Sequence, residues 1–424
     1  MSHATSQRRF PALRPWALCA AVIGVAGLTG CGGYDGGYDD ERCSNCNSNS
    51  YPAYEASYGL VAGNFNHSGF PSIVQTSVVR NGNQPIGYLK AYLSSAADSF
   101  AAPVLTNDGD NPLYLASADL NGDGLPDIVS ASLADGALSV FFNNAQAPGT
   151  FNSPLVLSSP GASQVAIADM NGDSLPDLIS ADYNVSLFLQ TSPATFANPI
   201  PLYSGGANWV AAGDLNGDGI PDVALTDNVG VKLLMHTGAA GTTTYAAPVS
   251  VFTATANAGV IGANLIAIAD VNGDGLNDLI ITDPGPYGGS APTVSVLLQD
   301  AANHGTFLPA VSYPTAPGSL AQSIVVTDVN GDGRPDIIIG GDTAVSVLLQ
   351  NPATAGTFLA AGNYPVENAN QIAITDINGD GLLDIAIATG PTHPTVNGVV
   401  TNHPGVLLQS ATAPGTFTAL QDLP

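Results

Sequence analysis

Basic residues are scarce: 8 Lys and Arg stand against 34 Asp and Glu in 424 residues, a formal net charge of −26. Nucleic acid and anionic membrane faces both reward clustered Lys and Arg. No such cluster follows the N-terminus, so neither is an expected partner. Catalytic signatures are missing too. The six His are scattered, HExxH and GxSxG do not occur, and no Cys stands with a base that would make it a nucleophile. The expectation is therefore no enzyme. Charge of either sign is thin between the acidic motifs described below, where Gly, Ala, Val, Leu and Thr dominate. That composition suits packed strands joined by many turns, with enough apolar residue for a large core.

Long apolar runs are also lacking, apart from a charge-free stretch over 16–28 that is too short to span a bilayer comfortably. It follows Arg8, Arg9 and Arg14 and ends in Leu28, Thr29, Gly30 and Cys31, the layout of a secretory signal. Its end resembles the lipobox of bacterial lipoproteins, which implies cleavage before Cys31 and lipidation of that thiol. An ordinary cleaved signal with an unrelated Cys is the plainer alternative. Arg8 and Arg9 match a twin-arginine signal only in part, so the export route stays open. Loss of 1–30 would remove three Arg and no acid, leaving 34 acids against 5 bases. Residues 31–50 hold too little apolar side chain to fold and read as a flexible tether. Within it, Cys43 and Cys46 form a CxxC pair, either a small disulfide outside the cytoplasm or a redox or metal motif without its usual strand and helix context.

Against these absences stands one abundant feature, a nine-residue acidic loop of the form DxNGDGxPD that occurs six times. The copies span 119–127, 169–177, 214–222, 270–278, 328–336 and 376–384, at a period of 45 to 58 residues. Three Asp in each loop account for 18 of the 34 acidic residues. Ca²⁺ takes six to eight oxygens, and carboxylates, an amide and a backbone carbonyl at alternate positions of a tight turn supply that chemistry. The residue types alone would also suit plain Asx turns. Like charges crowded together without compensation would, however, destabilise every copy.

The period fits a propeller blade of four short strands. Each unit has a short inner strand before the loop, such as VAIA at 165–168, and a second strand directly after it. A third strand then recurs almost unchanged: LSVFF at 138–142, VSLFL at 185–189, VSVLL at 294–298 and again at 345–349. An outer strand is expected around Phe151, Phe196, Tyr245, Phe307, Phe358 and Phe417. A degenerate seventh unit comes first, with an inner strand at 60–63, a third strand at 89–92 and Phe100 opening the fourth. Its loop, 64–72, carries Asn or Ser wherever the others carry Asp, so it is expected to fold without calcium. EF-hand and dockerin loops need flanking helices, whereas β-branched runs flank these. Pro126, Pro176, Pro221 and Pro335 at position eight suit a strand start. The expected fold is all-β, a seven-bladed β-propeller of four-stranded antiparallel blades over residues 51–424.

These units resemble the FG-GAP or VCBS repeats of bacterial surface proteins, similar in turn to the seven-bladed domain of integrin α subunits. The resemblance covers about 56–424. It implies structural calcium, about six ions, in the loops joining first and second strands, and a role in binding or adhesion to a protein or glycan. Carried over by position, the ligands are Asp119, Asn121, Asp123, Leu125 through its carbonyl, and Asp127. In the second loop they are Asp169, Asn171, Asp173, Leu175 and Asp177; in the third, Asp214, Asn216, Asp218, Ile220 and Asp222. The fourth offers Asp270, Asn272, Asp274, Leu276 and Asp278, and the fifth Asp328, Asn330, Asp332, Arg334 and Asp336. The sixth offers Asp376, Asn378, Asp380, Leu382 and Asp384. Gly at position six allows the positive φ that lets the oxygens converge; Ser174 in the second loop is expected to strain it.

Alternation of strands places the second-to-third connections on the face opposite the loops. Three such connections, 79–87, 284–292 and 390–404, are expected to be long and to bring Arg80, Tyr287, His393 and His403 to one rim, or else to be solvated loops without a partner. Many glycan-active proteins are propellers with carboxylates in the channel, so a carbohydrate-active enzyme is the second class, and a subunit of an envelope complex the third. The protein is expected to be exported, monomeric and held at the bacterial cell envelope, in the outer membrane or at the cell surface, by its lipid anchor alone.

Overall fold

The structure is a computed structural model and describes residues 54–80, 85–109, 111–181, 183–227, 229–253, 265–284, 292–390, 395–396, 399–400 and 403–423. The expected signal segment 1–30, the tether with Cys31, Cys43 and Cys46, and the rim residues Tyr287 and His393 lie outside the described residues. Among the described residues the secondary structure is entirely strand, turn and bridge.

Seven antiparallel sheets follow one another along the chain. In the second blade the strands are Pro112–Ala118, Asp127–Ser132, Ala137–Phe141 and Leu155–Ser158, paired in that order. Each inner strand packs beside the inner strand of the next blade, and that of the seventh, Ala369–Thr375, packs beside that of the first, Leu60–Gly63. This closes a ring, so the expected seven-bladed β-propeller is the observed fold.

Burial explains the composition of each strand. Neighbouring blades cover both faces of every sheet, so second strands such as Asp278–Asp283 and Asp336–Gly341 are buried along their whole length. Ile280, Ile281, Ile337 and Ile338 there fill the inter-blade cores. Inner strands carry Ala116, Ala118, Ala166 and Ala168 half-buried near the axis, where space is tightest. Outer strands such as Leu155–Ser158 alternate between half-buried and exposed residues, as single-sided sheet edges do.

Two expectations need correction. The aromatic residues do not centre the outer strands. Phe151, Tyr245, Phe307, Phe358 and Phe417 form single bridges back to the end of the third strand, Phe196 closes a small hairpin, and the outer strand follows later. An aromatic ring at the turn plugs the blade junction, as Tyr364 and Phe417 do edge-on at 5.4 Å. The strand before Leu60 belongs to the first blade: Tyr54–Ala56 pairs with Ser72–Arg80 and so lengthens that blade's own inner edge. The seam joins a blade built wholly from the N-terminal side to one built wholly from the C-terminal side. Leu60, Ile73 and Tyr92 pack there against Ile377, Ala386 and Val406. Gln371 Oε1 accepts the Leu60 N–H at 3.0 Å, and Asn370 Nδ2 donates to the Ser57 carbonyl at 2.8 Å. Finally, the connection over 79–87 is largely strand, because Val79 pairs with Ile86 and Arg80 with Pro85.

Candidate metal centres

Each acidic loop is wound by its first Asp. In the second blade, Asp119 Oδ1 accepts the N–H of Gly122 at 2.7 Å and of Asp123 at 3.2 Å, while Oδ2 accepts that of Gly124 at 2.8 Å. Asn121 Oδ1 takes the Asp123 N–H at 2.8 Å and Asp123 Oδ1 the Leu125 N–H at 2.9 Å. Two residues must turn left-handed to present these amides inward: Gly122 at φ 77° and Gly124 at φ 85°. Only the second had been picked out from sequence, yet a Gly stands at both positions in five loops. In the sixth case Ser174 adopts φ 69° and still donates to Asp169 Oδ2 at 2.7 Å, so the turn survives at the expected expense in strain.

The ninth residue of every loop begins the second strand and is wholly buried: Asp127, Asp177, Asp222, Asp278, Asp336 and Asp384 are all 0% exposed. Its two oxygens join loop to blade. Asp127 Oδ2 accepts the Leu120 N–H at 2.9 Å, and Oδ1 accepts the Asn143 N–H, from the end of the third strand, at 2.7 Å. Burial pushes the Asp127 carboxyl up to about 6; those two N–H groups hold it down, and the nearby Asp123 and Asp119 charges push it further up. The same balance of causes takes Asp177, Asp222, Asp278 and Asp336 to about 6 and raises Asp384.

Each loop supplies three carboxylates, one amide oxygen and a backbone carbonyl, all oxygen, as calcium requires. Among the described residues the only cation that answers these carboxylates is Arg334, 3.8 Å from Asp332 in its own loop; the other two ion pairs, Lys90 with Glu55 and Lys232 with Asp227, lie elsewhere. The negative charge is thus left uncompensated by protein, and the donor chemistry fits a divalent ion. The side chains as placed satisfy the loop's own amides first. Among the described residues no three His, Cys, Asp or Glu side chains converge into a finished cage.

The degenerate loop keeps the shape without the charge. His67 at φ 56° and Gly69 at φ 82° occupy the two left-handed positions. Ser72 Oγ accepts the Ser94 N–H at 3.0 Å where the other loops use the ninth Asp, and Asn66 Nδ2 donates to the Ser94 carbonyl at 2.8 Å.

The expected rim is only partly on view. His403 is exposed, with its ring 6.1 Å from that of Tyr92, and Arg80 is described by its backbone alone, at a strand end. The residue after the third strand was missed from sequence altogether, although Gln299, Gln350 and Gln409 each follow a Leu-Leu pair.

A ring of seven four-stranded blades, six of them with an acidic loop between first and second strands, defines the class as an acidic-loop β-propeller. The model of the FG-GAP-like repeat matches residues 119–180, 169–225, 214–281, 270–339 and 328–387, and the chain belongs to this family. Among solved structures, an Agrocybe aegerita lectin studied for recognition of non-reducing terminal N-acetylglucosamine is 18% identical, with a TM-score of 0.50, over 73% of this chain and 80% of the lectin. A candidate 6-phosphogluconolactonase from Bacteroides uniformis is 12% identical, with a TM-score of 0.50, over 87% of this chain and 95% of its own. Both likenesses speak to the fold. No match was found among the curated proteins.

Proposed function

We propose that the protein is a calcium-stabilised, lipid-anchored β-propeller of the bacterial cell envelope that binds a protein or glycan partner. One observation carries the calcium half. Six times over, a wholly buried carboxylate stands beside two further carboxylates of its loop, with Arg334 the only described cation among them. The bound ion would be held by the Asp at positions one, five and nine, the Asn at three and the carbonyl at seven. It would supply positive charge that the protein does not. Its role is structural, because the loop oxygens that would hold it are already committed to shaping the turn.

Binding is assigned to the face opposite the loops, where the second-to-third connections are free of this duty and where His403 is exposed. The lectin of the same fold makes glycans the first partner class to test. The deciding experiment sets the protein on glycan and envelope-protein arrays with calcium present. Retention of one glycan or protein class, lost on substitution in the opposite-face connections, supports the reading. Turnover of a sugar polymer or sugar lactone would instead establish the carbohydrate-active alternative.

A further inference from the structure

We propose that Gln350 and Gln409 are positioning residues that couple cation binding in the last three acidic loops, so that these loops fill as one cooperative group. The proposal rests on the metal reading above and adds to it a path between sites. Gln350 donates its backbone N–H to the buried Asp336 Oδ1 at 2.7 Å. Its side-chain Nε2 donates twice, to the Pro335 carbonyl in its own loop at 3.0 Å and to the Val271 carbonyl in the preceding blade's loop at 2.7 Å. The N–H of Val271 is in turn held by Asp278 Oδ2 at 3.0 Å. Gln409 repeats the arrangement, with its N–H on Asp384 Oδ1 at 2.8 Å and Nε2 on the Val329 carbonyl at 2.8 Å. The Val329 N–H is held by Asp336 Oδ2 at 3.1 Å.

A single run of hydrogen bonds therefore passes from Asp278 through Val271, Gln350, Asp336, Val329 and Gln409 to Asp384. Both glutamines are at most 4% exposed, so water does not compete for these bonds. Any shift of one ninth-position carboxylate as a cation settles is passed to the next through a packed, saturated linker. The path ends at the seam: in the first blade the corresponding residue is Ser94, whose Oγ turns to the Ala96 carbonyl at 2.8 Å, and no described bond reaches the loop of the seventh blade. The array is thus linear rather than circular, and it also stops at Asp278, where Gln299 Nε2 donates only to the Asn277 carbonyl of its own loop among the described bonds. The Val271 and Val329 carbonyls, beside ligand positions one and three, are the points where the neighbouring blade takes hold.

The test is a calcium titration of the full-length protein by calorimetry, with ion counting, on the wild type, Gln350→Ala and Gln350→Asn. Asn143 already performs this task in the second blade, reaching the Phe65 carbonyl at 2.8 Å, so the Asn variant serves as the conservative rescue. The wild type should bind near six ions with a Hill coefficient above about 1.5 for part of the curve. Gln350→Ala should keep the ion count, lose that steepness and weaken the affected loops about 5-fold or more, with Gln350→Asn restoring much of both. Gln371→Ala, which removes inner-strand bonds to Leu60 of the first blade and Leu115 of the second, should lower the melting temperature and leave the steepness unchanged. A wild type that binds six ions independently overturns the coupling and leaves the metal reading standing; one that binds none overturns both.

Discussion

Removal of calcium is the perturbation with the largest expected effect. Each of the six acidic loops holds a wholly buried Asp beside two further carboxylates. Without a cation, their repulsion is opposed among the described residues by loop amides, by one N–H from beyond the third strand and, in one loop, by Arg334. A ligand that binds only the folded state stabilises it by about 2.7 kcal/mol when its free concentration is 100-fold above its dissociation constant. Six such sites acting together amount to on the order of 16 kcal/mol. That matches or exceeds the roughly 5–15 kcal/mol net stability of an ordinary domain. Excess chelator should therefore leave the propeller unfolded or melting some tens of degrees lower, not merely softened. Thermal unfolding across a series of buffered free-calcium concentrations, beside metal counting by mass spectrometry, measures it. Melting temperature should climb with the logarithm of free calcium, and magnesium at equal concentration should do far less, since it demands stricter octahedral geometry and keeps its waters. An ion count near zero with unchanged melting would refute the reasoning.

Other substitutions probe separate links of the argument. Ser174→Gly relieves a left-handed non-glycine residue at φ 69° and should stabilise the loaded protein by about 1 kcal/mol, raising calcium affinity in that loop alone; a loss of stability in denaturant titration would contradict the strain. Asp108, 2% exposed, lies between the first and second blades with neither carboxyl oxygen fully hydrogen-bonded. Burial pushes it from 3.8 up to about 7, with Ser130 and Ser139 near enough to temper the rise and the Asp135 charge adding to it. The folded state holds this proton more tightly than the unfolded one, so the stability linked to it is present below 3.8 and is lost as pH rises through about 7. Asp108→Asn should accordingly gain about 4 kcal/mol over the wild type near pH 8 and lose most of that advantage near pH 4, a crossing that denaturant titrations at the two pH values would reveal or exclude. Cys31→Ser should move the exported protein from the membrane fraction to the soluble one; unchanged membrane retention on fractionation would dispose of the lipid anchor.

The divide between what could and could not be read from sequence follows the range of the interactions. The acidic loops were legible because everything that shapes them lies within nine residues: Asp119 winds its own turn through Gly122, Asp123 and Gly124. Blade number and strand order followed from repetition, since a strand of alternating small and branched residues after each loop has only the neighbouring blades to pack on. The pairing of Tyr54–Ala56 was not legible, because its partner, Val78 to Arg80, lies more than twenty residues on. The aromatic residues misled for a related reason: Phe and Tyr suit strands, yet a blade junction needs a plug more than the outer strand needs a ring. Gln350 shows the limit most plainly. Its spacing after each Leu-Leu pair was visible, but its meaning depends on the Val271 carbonyl 79 residues away, in another blade.

That dependence also explains why function was harder to read than fold. The loop face is over-determined, since most loop amides shape the turns and all six buried carboxylates tie those turns to their blades, which leaves little there for a partner to select. The opposite face carries connections such as Asp227–Lys232, paired to each other, and Gly109 to Pro112, whose contacts are local to one blade junction. Such connections can change composition without disturbing the ring, so a partner's imprint is expected there in individual side chains and not in a period. Substituting several opposite-face residues at once should leave calcium stoichiometry and melting nearly unchanged while abolishing partner retention. If melting fell as far as it does on chelation, the two faces would not be separable and the division of labour argued here would fail.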